Sequence, residues 1–456
     1  MSFGRAGHQK ATQVARNAGW RGEAEPEARR DEARTARYET GGLGRDSLLS
    51  QALARANLVM AWKRVKANRG SAGVDGKSIA ETAEHLKTHW PGIREALLDG
   101  SYRPWPVRRV QIPKPDGGMR ELGIPTVADR LIQQALLQVL QPIIDPTFSE
   151  HSYGFRPGRR ARDAVLMAQR HVQDGYRMVV DVDLEKFFDR INHDILMERL
   201  SRRIDDKAVL RLIRLYLVAG IMDGGVVSER YEGTPQGGPL SPLLANVLLD
   251  EVDRELERRG HRFVRYADDC NVYVRSGRSG ERVLEGLRKL YDRLHLKVNE
   301  AKTAVAPATG RKFLGYRLWR GAGGRIKCAV ARKALETFKQ RIRELTRRSG
   351  GRNLPEVAER LRAYMPGWKA YFQLAQTPKV FRELDKWIRH RLRAMQLKHW
   401  RRGTTMYREL LALGASEADA RKVAANSRSW WHNSRLLLNR AMPVAYFDRL
   451  GVPRLS

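Results

Sequence analysis

Two acidic segments have residue types and spacings that could do chemistry. In Met178-Val179-Val180-Asp181-Val182-Asp183-Leu184-Glu185-Lys186-Phe187-Phe188-Asp189 a β-branched run delivers acids to the end of a strand. Strand alternation places Asp181 and Asp183 on one face. In Phe263-Val264-Arg265-Tyr266-Ala267-Asp268-Asp269-Cys270-Asn271-Val272-Tyr273-Val274, two apolar stretches flank a pair of acids at the turn between them. Taken alone, that pair is ordinary turn chemistry, because Asp is common in turns. If the two segments lie side by side in one sheet, Asp183, Asp268 and Asp269 converge, and three carboxylates without a cation repel. Mg²⁺ relieves the repulsion, since it takes hard oxygen ligands from a few carboxylates, water and substrate phosphates. Two such ions about 3.5–4 Å apart stabilise the attacking and leaving oxygens of an in-line phosphoryl displacement. The chemistry such a cluster would do is nucleotidyl transfer.

The elements that must position these acids are legible in outline. A helix is predicted from Asp46 or Ser47, with Leu48, Leu49, Leu53, Leu58, Val59 and Trp62 at roughly helical spacing, ending at Asn68-Arg69-Gly70-Ser71-Ala72-Gly73. Extended runs at 107–112 and 120–124, joined by Lys114-Pro115-Asp116-Gly117-Gly118, read as a hairpin with basic arms. A helix over 127–141 follows. Met178–Asp183 reads as a buried strand, 193–217 as largely helical and 239–258 as a further helix. Beyond Trp319 the chain becomes helical and very basic, with 355–372 and 378–402 the clearest elements.

Composition narrows the partner class. The 456 residues should form two to four structural units, and 42% hydrophobic content is enough for cores. There are 85 Lys+Arg against 51 Asp+Glu, a net charge of +34. Such a surface repels itself and calls for a polyanion. Two cysteines, Cys270 and Cys328, exclude a disulfide framework and a paired zinc site, which with the lack of a leader or an apolar span predicts a cytoplasmic protein that meets no membrane. Residues 1–46, with almost no aliphatic residues before Leu43, are expected to be a flexible extension.

The order of motifs resembles the palm of a reverse transcriptase. Tyr266-Ala267-Asp268-Asp269 is similar to the family's Tyr-x-Asp-Asp box, Asp183–Asp189 to its first catalytic block, and Thr234-Pro235-Gln236-Gly237-Gly238-Pro239 to its Pro-Gln-Gly block. The resemblance implies an RNA-directed DNA polymerase with catalytic Asp183, Asp268 and Asp269. It implies two Mg²⁺ ions at Asp183, Leu184, Asp268 and Asp269. It places Lys114 and Arg120 on the triphosphate, makes Phe188 an aromatic gate against the 2′-hydroxyl, sets Gln236 and Gly237 near nucleotide and template, and lets Lys302 serve the leaving pyrophosphate.

Three regions narrow the resemblance to the group II intron reverse transcriptase/maturase family of bacterial type. They are Asn68–Gly76, Phe148-Ser149-Glu150-His151-Ser152-Tyr153-Gly154-Phe155-Arg156-Pro157-Gly158-Arg159, and the chain beyond the palm. The fold implied is α+β: a right-hand polymerase with fingers and palm on antiparallel sheet, then a helical thumb/X domain and a small C-terminal DNA-binding segment. The expected divisions are 1–46, a reverse-transcriptase block at 47–100, fingers and palm at 101–320, thumb/X at 321–405 and the DNA-binding segment at 406–456. Leu361, Tyr364, Trp368, Tyr371 and Phe372 should line one side of a helical segment interrupted at Pro366-Gly367. The 378–402 helix carries nine Lys/Arg against two acids. A phosphate-contacting face is expected there from Arg382, Lys386, Arg389, Arg393, Lys398, Arg401 and Arg402. The aromatics of 427–431 and 441–455 would either stack on bases or close a small core.

The partners implied are group II intron RNA, target DNA, a template–primer duplex and deoxynucleoside triphosphates. The implied functions are splicing assistance and copying of the intron during retrohoming. The chain shows none of the family's optional Cys/His-containing endonuclease domain, from which a primer supplied elsewhere is expected. A reverse transcriptase domesticated for host defence or a CRISPR system is the alternative.

Overall fold

The computed structural model describes residues 47–113, 117–223, 225–435 and 438–456. The expected extension at 1–46 and the nucleotide-binding candidate Lys114 lie outside them. The chain divides into two compact units, one running to Ala308 and one from Thr309 to Ser456. This division differs from the expected break at 320/321.

The first unit opens with α1 (Leu48–Ala52), capped by the Ser47 hydroxyl, and α2 (Arg55–Ala67). The single helix expected here is broken because Ala54 is extended, and Asn57 Nδ2 takes the freed Ala52 carbonyl at 2.8 Å. α3 (Ile79–Asp99) starts at a Ser78/Glu81 capping box. The predicted hairpin forms as β1 (Val107–Pro113) and β2 (Met119–Ile124), with Ile112 opposite Arg120. α4 (Val127–Ile144) and α5 (Ala161–Gln173) precede β3 (Met178–Val182). The stretch 193–217, read as largely helical, forms α6 (His193–Ser201) and α7 (Lys207–Val218). Asp206 separates them: its carboxylate caps the N–H groups of Ala208 and Val209 and also accepts from Leu49 N. β4 (Ile221–Asp223) and β5 (Val226–Ser228) extend the hairpin sheet in the order β2-β1-β4-β5.

α8 (Ser241–Arg258), β6 (Arg262–Tyr266), β7 (Asp269–Val274), α9 (Gly277–Arg293) and β8 (Ala304–Pro307) complete the unit. The second sheet runs β6-β7-β3-β8, antiparallel throughout. Val182 faces Cys270 and Asp181 faces Asn271. Val180, Val182, Cys270 and Val272 enter one core with Leu244, Val247, Leu248 and Val252 of α8. Burying each such aliphatic side chain is worth about 1.5–3 kcal/mol. A one-residue slip would turn Val180 and Val182 out and Asp181 in, so apolar packing fixes the register on which the acids depend.

The second unit begins with a small sheet, β9 (Lys312–Phe313), β10 (Tyr316–Arg320) and β11 (Ile326–Val330), in the order β11-β10-β9. Helices follow: α10 (Arg332–Leu345), α11 (Leu354–Tyr371), α12 (Pro378–Trp400), α13 (Gly403–Ala412), α14 (Glu417–Ala425), α15 (Trp430–Asn433), α16 (Leu438–Ala441) and α17 (Val444–Arg449). α11 passes through Pro366 without the expected interruption. A proline inside a helix costs about 3 kcal/mol, and here the flanking turns are held by aromatic packing, with Trp368 4.2 Å from Phe338 and 4.8 Å from Phe372. No described helix is long and apolar enough to cross a membrane.

Behind β6 and β7, His171 of α5 is buried against Tyr273 at 5.5 Å, and burial pushes its pKa down to about 4. Because the folded value lies below the unfolded one, the unfolded chain takes up a proton first as pH falls. The neutral ring's contribution is complete above about pH 6.5 and disappears between there and about pH 4, at up to about 1.4 kcal/mol per pH unit. Chemical denaturation across this window should show a decline that His171→Phe makes shallower.

Candidate active site

Asp183 is the first residue beyond β3, and its backbone is gripped on both sides. Its carbonyl accepts from Asn299 N at 2.8 Å and its N–H donates to Thr303 Oγ1 at 3.2 Å. Asp268 sits in the turn between β6 and β7, after Ala267 in the left-handed region at φ 57°. Burial holds the Asp268 carboxyl above its ordinary value, and the charge of Asp183 raises it further, while Arg120 and Arg265 act in the opposite direction. Each carboxylate therefore lies in the other's field. Asp269 opens β7 opposite Tyr266 and is exposed. Lys302 Nζ is 3.9 Å from Asp183 Oδ2.

The donor chemistry suits a hard cation. Among the described residues no three His, Cys, Asp or Glu side chains close into a ligand cage. Asp183 and Asp268 are the carboxylates brought into each other's field, and Mg²⁺ is usually held by one or two carboxylates, with water and substrate phosphates completing its shell. Leu184 is buried and bridges to Val298, so its backbone carbonyl is the only atom it could offer.

The described nucleotide-side candidates lie on several elements of the first unit. Arg120 lies exposed on β2 and close enough to act on Asp268. Gln236 O accepts from Gly123 N of β2 at 3.1 Å, tying the Pro-Gln-Gly loop to the base of the hairpin. Gly237 has φ 138°, and a Cβ there would lie 2.8 Å from the Gly123 carbonyl, so glycine is required. Phe188 is half-buried, edge-on to the buried Phe187 at 5.1 Å, and its carbonyl accepts from Thr234 N at 2.8 Å.

The basic helix α12 divides its candidates. Arg382 and Lys386 are exposed, with Lys386 paired to Glu383, and Arg401 and Arg402 are exposed just beyond its end. Lys398 lies 5.4 Å over the Trp430 ring. Arg389 and Arg393 correct the expectation of one phosphate-facing row: both are turned inward. Arg393 donates through Nε and Nη2 to the Met442 carbonyl at 3.0 and 2.8 Å and lies over Phe447, and burial lowers its pKa to about 10.

Several residues escaped sequence reasoning. Thr303 gives no sequence signal of its role on Asp183. Arg265, a second cation in β6 that shares the face of Phe263, does give a signal. Trp387 lies between Arg343 and Arg391 at 5.7 and 5.4 Å, a cation–π arrangement foreshadowed only by the four-residue spacing of Trp387 and Arg391. Of the C-terminal aromatics, Phe447 is core, whereas Trp431 is partly exposed and stacks on His390 at 3.7 Å.

Residues 112–318 match the family described as reverse transcriptase (RNA-dependent DNA polymerase). Residues 335–413 match the group II intron, maturase-specific domain. Protein YkfC of Escherichia coli (strain K12) is 33% identical over 288 residues, covering 54% of this chain and 76% of that protein. The group II intron-encoded protein LtrA of Lactococcus lactis subsp. cremoris is 29% identical over 338 residues, covering 59% of this chain and 56% of its own length. The putative COX1/OXI3 intron 1 protein of Saccharomyces cerevisiae is 28% identical over 319 residues, 57% of this chain and 38% of that protein. The chain thus spans just over half of LtrA and less of the yeast protein. Among solved structures, a chain of a partial Cas6-RT-Cas1–Cas2 complex aligns at a TM-score of 0.36 and 24% identity, over 57% of this chain and 46% of that one.

A two-segment acidic palm beside a basic hairpin defines the class, a reverse transcriptase. The chain belongs to the reverse transcriptase family in the form that carries a group II intron maturase-specific domain. Reverse transcriptase domains work with divalent metal ions.

The division along α12 has a measurable outcome. Arg393→Ala should lower stability by about 1.5–3 kcal/mol, the range for hydrogen bonds made by charged groups, in a denaturant titration. Arg382→Ala, at an exposed position, should leave stability within about 0.5 kcal/mol.

Proposed function

We propose that this chain copies RNA into DNA by two-metal-ion nucleotidyl transfer, and that it binds the folded group II intron RNA that encodes it, assisting splicing and copying the intron during retrohoming. The observation that carries the reading is that Asp183 and Asp268, at one end of the second sheet, lie close enough for the charge of Asp183 to act on Asp268. Magnesium bound by Asp183 and Asp268, with Asp269 and the Leu184 carbonyl as further ligands, supplies Lewis-acid stabilisation of the attacking and leaving oxygens.

The chain's own groups do the rest. Arg120, together with the sequence candidate Lys114, neutralises the incoming triphosphate, and Lys302 lies on the Asp183 side, where it stabilises charge developing on the departing pyrophosphate. Phe188 fills the space beneath the sugar and excludes a 2′-hydroxyl. Gln236 and Gly237 let the backbone approach the nucleotide and template. In the second unit, the exposed cations Arg382, Lys386, Arg401 and Arg402, together with Trp387 and Trp430 among their arginines and Lys398, form a surface for template–primer duplex, target DNA and intron RNA. Such a surface reads shape and charge rather than base edges.

Primer extension on an RNA template with Mg²⁺ tests the catalytic half. Asp268→Ala should lower it by about 10³-fold or more, the equivalent of several kcal/mol of charge stabilisation. Unchanged extension would end the reading. Phe188→Ala should raise ribonucleotide incorporation relative to deoxynucleotide by about 10–100-fold, the range available to steric discrimination in a pocket.

The binding half separates from it. Neutralising Arg382, Lys386, Arg401 and Arg402 together should abolish splicing assistance and flatten the salt dependence of RNA binding by roughly 0.7–0.9 for each phosphate no longer neutralised, whereas Asp268→Ala should spare both. Sequencing RNA that co-purifies with the chain decides the partner: intron RNA is expected, and its absence favours a domesticated enzyme.

A further inference from the structure

The strand that leads into the two-aspartate turn carries a cation where its alternation puts the core. Phe263 and Arg265 point to the same side of β6, and both are fully buried. The Arg265 guanidinium forks onto Asp253 of α8, with Nε 2.8 Å from Oδ1 and Nη2 2.5 Å from Oδ2. Asp253 is equally buried. The remaining nitrogen, Nη1, donates to Asn246 Oδ1 at 2.8 Å and to the Ala267 carbonyl at 2.9 Å. Ala267 is the left-handed residue immediately before Asp268. A left-handed conformation costs a residue with a Cβ roughly 1–2 kcal/mol, so the turn needs something to hold it.

The same knot closes from the side. Asn246 Nδ2 donates to the Gly154 carbonyl at 2.8 Å, and a Cβ on Gly154 would lie 2.1 Å from Ala267 N. Arg265 itself exchanges backbone bonds with the 151–153 segment, through His151 O and Tyr153 N, each at 2.9 Å.

We propose that Arg265 is a positioning residue for nucleotidyl transfer: anchored by Asp253, its guanidinium fixes the strained Ala267 peptide and thereby the direction in which Asp268 presents its carboxylate. The inference rests on the reading of Asp183 and Asp268 as the catalytic pair. A fork is needed because one end must be neutralised inside the core while the other reaches a backbone carbonyl. Lysine offers charge without that geometry.

The test compares Arg265→Lys, Arg265→Gln and Asn246→Ala with the unaltered full chain. The readouts are steady-state primer extension, KM for deoxynucleotide, the Mg²⁺ midpoint of activity, and the rise in unfolding temperature when Mg²⁺ alone is added. Displacing a reacting group by about 1 Å costs on the order of 10²-fold. Arg265→Gln should therefore lose about that much in kcat with KM unchanged, raise the Mg²⁺ midpoint and shrink the Mg²⁺-induced thermal shift. Arg265→Lys should recover part of each.

A purely structural role would lower stability and the yield of active protein, leaving kcat per folded molecule and the Mg²⁺ midpoint where they were. That result overturns the proposal. Should the Arg265 variants not fold, Asn246→Ala decides, since it removes one of the two acceptors that orient Nη1 toward the Ala267 carbonyl without unpairing the Asp253 charge. A smaller fall in kcat with the same Mg²⁺ signature sustains the proposal, and behaviour like the unaltered chain ends it. If the unaltered chain shows no Mg²⁺-dependent extension, the catalytic reading has failed instead.

Discussion

Two carboxylates are pressed into one another's field at the end of an antiparallel ladder, and much of the first unit can be understood as what it takes to keep them there. Asp268 is disfavoured in its charged form by burial and by Asp183. The two acids are kept there by the register of β3 against β7, which is in turn held by valines and a cysteine buried in the core that α8 and α9 share. Apolar burial therefore secures an electrostatically unfavourable arrangement whose strain a cation can relieve. The acids are strongly placed because they are not placed by each other.

The large positive charge has a less uniform meaning than a count of Lys and Arg conveys. Part of it is internal carpentry. Arg156 ties Asp145 to the carbonyls of Ser149 and Ser152, Arg203 pairs with the fully buried Asp250, and Arg393 is spent on a carbonyl. Such side chains use the planar fork of arginine, which satisfies several acceptors at once. The exposed remainder, together with tryptophans flanked by cations, is what a nucleic acid would meet.

The sequence carried the chemistry more clearly than the local geometry. The two acidic segments, the hairpin and the Pro-Gln-Gly loop were legible because each depends on residues close together in the chain. The breaks at Leu53-Ala54 and before Asp206 were not, because the groups that make them tolerable act across the fold: Asn57 also bonds the Ala135 carbonyl, and Asp206 reaches Leu49. Pro366 signalled an interruption that aromatic packing overrides. Arg389 and Arg393 looked like surface charge because nothing within α12 reveals that a carbonyl of Met442 waits behind the helix. Thr303 was invisible for the same reason, since its partner lies 120 residues away.

Among the described residues the hairpin is fastened toward its base. Val107 N bonds the Gly220 carbonyl at 2.8 Å and Gly123 N bonds that of Gln236 at 3.1 Å, while Gly117, Gly118, Met119 and Arg120 stand in solvent. A ribbon moored in this way is anchored at the Pro-Gln-Gly loop, so on the proposed reading Arg120 and Gln236 share one anchorage, and a change in the loop would be felt at both.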